Sequence, residues 1–331
     1  MSAIGEEISV LGRIRQRGGS LPVRIVVTLA LVGLVASQIE WSLVARRVSH
    51  GQPLYFLAAV AFVLAALTVG AWRWWRLLDK AGVHLGAYSL ARVYAVSTFS
   101  NTFLPTSVGG DVTRALLVSR QGPVLTRVAT TIVIDRLGGL MGLLGTAWLA
   151  IAFQSASVPH GAKIFLGWVT AVVFLALVVM CAAIFRGSRL ARAAIPRRLV
   201  TPARQSRALL RTYASDPATL LIVLAQSLLY QALISLQLVM LARAIDVHLS
   251  FSTAAVVLAL VTVVTLIPIS IGGFGIREGS YVVLLGGASI AATDAALISL
   301  MSVAALFFAS LPGALLLMRG GVRPALESVP L

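Results

Sequence analysis

Cysteine occurs once in these 331 residues, as Cys181, so the chain can form no internal disulfide. The four histidines, His50, His84, His160 and His248, are scattered and lack the spacing of a metal site. No Gly-x-Ser-x-Gly turn is present to raise a serine nucleophile, and Gly273-Phe274-Gly275 lacks the strand-and-helix setting of a dinucleotide loop. No catalytic residue and no cofactor is therefore expected, and the chain reads as a non-enzyme.

Charge is scarce as well. Charged residues make up 11% of the chain against 59% hydrophobic residues, and mean hydropathy is +0.95. That balance excludes a soluble domain with an ordinary polar surface and points to an integral membrane protein. Acids are the rarer sign, 11 against 27 Lys and Arg, for a formal charge of +16. In a soluble protein such an excess would point to nucleic acid. Here the arginines lie between apolar runs and follow the positive-inside pattern, so nucleic acid is not expected as a partner.

What the chain does have is one pattern twice. Residues 105–114 read Pro-Thr-Ser-Val-Gly-Gly-Asp-Val-Thr-Arg, and residues 268–277 read Pro-Ile-Ser-Ile-Gly-Gly-Phe-Gly-Ile-Arg. Both obey Pro-x-Ser-x-Gly-Gly-x-x-x-Arg, with five shared residue types in ten positions. Each copy ends an apolar run with Pro, breaks the helix at Gly-Gly and restarts it with an Arg. Backbone groups freed in hydrocarbon must be satisfied by protein, water or ligand, so such breaks line cavities. Paired breaks in two halves are the sequence mark of a transporter's binding site.

Along the chain, residues 1–23 form a basic tail and Arg24 to Val44 a retained first span, with its amino end cytoplasmic. A second span from Leu54 to Ala71 ends in Trp72-Arg73-Trp74-Trp75-Arg76, which reads as an interfacial anchor. The polar run before Pro105 and the basic segment after it predict a hairpin over about 97–120 that enters from the cytoplasm, with Asp111 capping the returning helix. Val124 to Phe153 is a long span carrying Asp135-Arg136, and Gly138 with Gly142 gives it a smooth face for close packing. Residues 164–185 return inward. Residues 186–217 hold eight Arg against one acid, Asp216, and read as a cytoplasmic loop joining two membrane halves, 24–185 and 218–320. That loop could also hold anionic headgroups. The second half crosses outward from Ala218 to Ala242, forms a second hairpin over about 253–287 and returns from Ala295 to Met318, with residues 321–331 as a cytoplasmic tail.

Charge bias thus orients the halves oppositely. The expected fold is an all-α, polytopic transmembrane helical bundle of two inverted repeats, each with a broken re-entrant segment. The breaks would meet near mid-membrane.

Half-helices restarting there present N–H groups and a positive dipole end, which favour an anion. Arg114 and Arg277 add planar donors matched to phosphate oxygens. Around them Asp111, Glu278, Asp135, Arg136, Asn101, Thr106, Ser107, Ser270, Gly109, Gly110, Gly272 and Gly273 complete the candidate substrate site. A structural alternative stands beside this: Arg114 pairs with Asp111 at i,i+3, and Arg277 pairs with a distant carboxylate such as Asp135. Arg277 and Glu278 leave a helix about 100° apart and are not expected to satisfy each other. Asp111, Asp135, Glu278 and Asp294 are candidates either for proton coupling or for ion pairing.

The strings Asn101 to Arg114, Asp135-Arg136 and Pro268 to Glu278 resemble the hallmark segments of the lysylphosphatidylglycerol synthase transmembrane region, also called the flippase-like domain family. The resemblance covers about residues 24 to 320. By matching position it carries over Asn101, Pro105, Gly109, Gly110, Asp111, Arg114, Asp135, Arg136, Pro268, Gly272, Gly273, Gly275, Arg277 and Glu278. It implies a multi-span flippase or lipid-handling membrane protein. In two-part members this region moves an aminoacylated phospholipid made by an attached soluble domain; here the chain stops after the membrane region, so the resemblance does not imply aminoacyl transfer. The expected function is translocation of a lipid with an anionic, phosphate-containing headgroup across the cytoplasmic membrane. Its partners are such lipids, with a second copy of the chain or a biosynthetic enzyme as possible protein partners. Two alternatives remain open: a membrane-embedded transferase or accessory subunit of lipid biosynthesis, and a transporter of a small soluble anion.

Overall fold

The computed structural model describes residues 51–103, 109–119, 122–153, 160–186, 197–266, 270 and 273–318, with positions 33, 37 and 42. The rest of the first span, both tails, Pro105, Thr106, Ser107, Pro268 and Gly272 lie outside the described residues.

Every element among the described residues is a helix. In chain order they are α1 (Pro53–Lys80), α2 (Ala87–Phe103), α3 (Gly109–Val118), α4 (Gly122–Phe153), α5 (His160–Arg186), α6 (Arg197–Ala214), α7 (Pro217–Ala244), α8 (Phe251–Thr265), α9 (Ile276–Gly286) and α10 (Ala292–Met318). Five of them, α1, α4, α5, α7 and α10, are long and apolar enough to cross a membrane, while α8 is apolar but shorter. The chain is an all-helical, multi-pass membrane protein. Each expected crossing in the described residues has its helix, with ends shifted by up to nine residues, most at Lys80, because polar end turns continue the helical hydrogen bonding.

α1 and α7 form the central pair, each 28 residues long. They run antiparallel. The Gln52 N–H donates to the Ala244 carbonyl at one end (3.0 Å), and Arg73 reaches Ser227 near the other (2.8 Å). α4 and α7 run parallel, since Gly138 faces Val223 and Ser227, Gly142 faces Ser227, and Gly145 faces Leu228. The smooth face read from Gly138 and Gly142 is real: a Cβ on Gly142 would lie 2.5 Å from Ser227 Cβ and 2.6 Å from its carbonyl carbon. Gly142→Val is expected to cost about 1–3 kcal/mol, the usual range for overpacking. A thermal melt of the purified protein followed by size-exclusion fluorescence measures it, and an unchanged midpoint would show that the helices part without cost.

α1–α4 and α7–α10 correspond in order and length. The pairs measure 28 and 28, 17 and 15, 10 and 11, and 32 and 27 residues. Their neighbours correspond as well: α2 packs on α10 as α8 packs on α4, and α1 meets α10 as α7 meets α4. On the α2–α10 seam, a Cβ on Gly313 would lie 2.2 Å from the Ala95 carbonyl oxygen, so only glycine allows that crossing.

The span α5 presents Trp168, Val172, Phe174 and Leu175 outward and sits at the edge of the bundle. Residues 186–217 are not simply a loop, because α6 occupies 197–214. Leu209, Leu210 and the buried Tyr213 pack on Leu77, Ile134 and Val223, and the Tyr213 hydroxyl donates to the Leu77 carbonyl. The arginine count concealed an ordinary helical period, with Arg204, Arg207 and Arg211 on the face opposite Tyr213.

Asp216 caps α7. Its Oδ1 accepts from the Thr219 N–H (3.1 Å), its Oδ2 accepts from the Thr219 hydroxyl (2.7 Å), and the Lys80 ammonium pairs with it. Lys80 and then Thr219 hold the Asp216 carboxyl well below the usual carboxylate range. A depressed folded-state pKa stabilises fully above the unfolded value and is lost as pH falls through the folded one. Asp216→Asn should therefore melt below the wild type at pH 7 and pH 5 by the same margin. That margin should shrink on acidification below about pH 4, and a margin constant down to pH 2 would assign the loss to packing instead.

Candidate functional site

The charged residues of α1, α3 and α4 converge on one cluster. Asp135 is 4% exposed and shares its carboxylate between two arginines: Oδ1 takes Arg73 Nε (2.7 Å) and Oδ2 takes Arg114 Nη1 (3.2 Å). Arg73 also donates to the Ser227 hydroxyl (2.8 Å) and lies over the Tyr230 ring, 5.8 Å from its centroid. Arg114 turns its other end to Asp111 Oδ1 (3.0 Å), and Asp111 Oδ2 takes Arg136 Nε (2.8 Å). The result is a chain of ion pairs, Arg73–Asp135–Arg114–Asp111–Arg136, that ties α3 and α7 to α1 and α4.

Three guanidinium groups face two carboxylates in this cluster, an excess of one positive charge among the described residues. Buried charges persist only when paired and hydrogen-bonded. Arg73 and Arg114 meet that condition. Arg114 further stacks over Trp74, 4.5 Å from the ring centroid, and over Tyr94 at 5.7 Å. Its Nε is buried without a hydrogen-bond partner among the described residues. Arg136 differs, because 56% of its side chain is uncovered by protein.

α2 and α3 pack together across the first break, and Gly110 permits it: a Cβ there would lie 2.5 Å from the Ser97 carbonyl oxygen and 2.7 Å from Asn101 Cβ. Asn101 itself is exposed near the end of α2, while Gly109 and Gly110 are buried in the first turn of α3. The helix has already begun when it reaches Asp111, so that residue does not cap it. Its two oxygens instead go to arginines.

The second motif builds a smaller cluster at the start of α9. Gly273 and Gly275 take φ of +77° and +81°, angles that a side chain would strain. Glu278 Oε2 accepts from the Gly275 N–H (2.6 Å), and Oε1 accepts from Arg277 Nε (3.2 Å) and Nη2 (3.1 Å). The expectation that these neighbours cannot satisfy each other is therefore overturned. Their Cβ atoms do diverge, but the arginine is long enough to wrap back, and the cap fixes the carboxylate where it can be reached. Arg277 also lies over the Phe274 ring at 5.1 Å, and Ser270 Oγ is buried without a partner among the described residues.

Arg114 and Arg277 thus stand in separate clusters, each paired to an acid carried in the first turn of its own helix. Asp135 pairs with Arg73 and Arg114, and Arg277 with Glu278 instead. The i,i+3 pairing of Arg114 with Asp111 is present.

Sequence reasoning missed Arg73 and Trp74, which it assigned to the interface. Both are buried, while Trp72 and Trp75 are exposed and Arg76 stacks on Trp72 at 5.2 Å. The signal was there: Ala59, Val63, Ala66, Gly70, Arg73 and Leu77 recur at helical spacing along the buried stripe of α1.

Residues 22–313 match the family profile described as lysylphosphatidylglycerol synthase TM region. No curated protein matches the chain at a significant level.

Proposed function

Because the chain belongs to the lysylphosphatidylglycerol synthase transmembrane-region family, whose name points to lipid chemistry, we propose that it is a carrier, not an enzyme, that moves a lipid with an anionic headgroup across the cytoplasmic membrane. The carrying observation is the arginine–aspartate chain: a net positive cluster, built in part on candidate membrane-spanning helices, that ends on Arg136, whose side chain is 56% exposed. A phosphate diester arriving there meets a planar, permanently charged donor, with Arg114 one ion pair behind it. Asp111 bridges the two arginines and holds them until the headgroup arrives. Arg277, with Ser270 beside the second break, offers a second, separate set of donors in the other half.

The two halves act as inverted repeats with re-entrant broken segments. Their matching lengths, exchanged neighbours and antiparallel central pair α1/α7 support this reading. The α6 end of the bundle, with both termini, faces the cytoplasm, a reading supported by the excess of arginine in the segment that contains α6.

Reconstitution tests the proposal. Vesicles containing the protein and a trace of fluorophore-labelled phosphatidylglycerol should bring the label to an external quencher faster than protein-free vesicles do. Labelled phosphatidylcholine should move more slowly. Equal rates for both headgroups would remove the anionic assignment. Uptake of labelled inorganic phosphate without any lipid movement would instead make this a soluble-anion carrier.

A further inference from the structure

Between α4, α7 and α8 the structure leaves a cleft of about 500 Å3, within the size range of small-molecule sites. Leu149, Ala150 and Phe153 form one wall, and Leu228, Leu229 and Ala232 form the other. Two hydroxyls reach the lining, and both are engaged: Thr146 donates to the Gly142 carbonyl (2.8 Å), and Ser252 pairs with Ser250 (3.1 Å). Apart from the remaining lone pairs of these two hydroxyls, the lining side chains are apolar. The cleft accepts hydrocarbon.

The cleft and the charged cluster lie along the same pair of helices, α4 and α7. Ser227 holds Arg73, and the next residue, Leu228, lines the cleft. α4 and α7 are in close contact between the two, with a Cβ on Gly145 standing 3.0 Å from Leu228 Cδ2. α4 and α7 run parallel, so the charged cluster lies toward the Gly122 end of α4 and the cleft toward its Phe153 end. Asp135 and Leu149 are about 20 Å apart along the helix at its ordinary rise. That is of the order of one leaflet's hydrocarbon depth, about 15 Å.

We propose that this cleft seats one hydrocarbon chain of the lipid whose headgroup is held at the Arg136 end of the charged cluster. The inference rests on the carrier reading above and adds to it where the tail goes. It also assigns a direction of approach, with the headgroup on the side of α6 and the chain pointing toward the opposite face.

Phosphatidylglycerol carrying a diazirine midway along one acyl chain tests this in nanodiscs, with labelled residues mapped by mass spectrometry. Residues 146–153 and 228–232 should label about tenfold more than the lipid-facing Phe174 and Leu175 of α5, and Ala232→Trp should abolish that excess by filling the cleft. Ala232→Ser, which leaves the space open, should label as the wild type does. Leu149→Trp fills the cleft from the other wall and replaces Ala232→Trp if that variant does not fold. Arg136→Gln should lower cleft labelling if headgroup and chain belong to one lipid. Even labelling of α5 and the cleft would overturn the seat, and so would labelling that persists in a monodisperse Trp variant. Cleft labelling indifferent to Arg136→Gln would overturn the joint site. Cleft labelling without headgroup movement in the vesicle assay would leave the seat standing and remove the carrier reading.

Discussion

Replacing Asp135 with alanine is expected to destabilise the folded protein by about 3–5 kcal/mol, the cost of leaving buried charge without its partner. Asp135 is the only acid in hydrogen-bond contact with Arg73 among the described residues, and it is one of two that hold Arg114. Its removal strands one guanidinium completely and half-strands another. Ser227 and the ring faces of Trp74, Tyr94 and Tyr230 soften the loss but carry no negative charge. Asp135→Asn keeps the shape but offers the two arginines one acceptor oxygen in place of two and no charge, so it should lie between the wild type and alanine. The pairwise part can be isolated: Arg73→Gln and Asp135→Asn, combined in a double-mutant cycle, should show a coupling of about 1–3 kcal/mol. Melting in detergent, read by size-exclusion fluorescence, gives all four corners. If Asp135→Ala melts within about 1 °C of the wild type, the cluster is not the internal tie between α1, α3 and α4 that its geometry implies.

The same geometry explains which parts of the site could be read from sequence. Hydropathy located the spans because the bilayer demands about 20 apolar residues of each one and leaves little freedom. Asp135-Arg136 and the two Gly-Gly motifs stood out because charge and helix breaks are costly in hydrocarbon. Partner choice was another matter. Arg73 sat among tryptophans, a setting that fits an interface equally well, and only its place on the buried stripe of α1 distinguishes it. Arg277 and Glu278 were separated on the strength of Cβ directions, which decide contacts for short side chains but not for a guanidinium on a three-carbon stem. α6 was hidden by composition: eight arginines in 32 residues read as a loop until the leucines and Tyr213 are counted at helical spacing.

Arg136→Gln is expected to lower lipid movement at least tenfold, equivalent to about 1.4 kcal/mol or more of lost headgroup binding, while reducing the melting temperature less than Asp135→Ala does. That expectation starts from the 56% exposure of the Arg136 side chain. Only the Arg136 end of its pair with Asp111 is exposed, but Asp111, 12% exposed, keeps its bond to Arg114, so losing Arg136 strands no buried charge and costs less than losing Asp135 does. The same exposure makes Arg136 the member of the cluster that a headgroup can reach without unpacking the bundle. Arg136→Lys separates charge from shape. It keeps the positive charge but loses the planar fork, so it should recover part of the rate and not all of it. Full recovery by lysine would mean that a point charge suffices at this position. Raising the salt concentration should slow the wild type more than Arg136→Gln, because an accessible charge is screened and a missing one is not. A variant that moves phosphatidylglycerol at the wild-type rate would place the headgroup elsewhere, with Arg277 and Ser270 at the second break as the next site to alter.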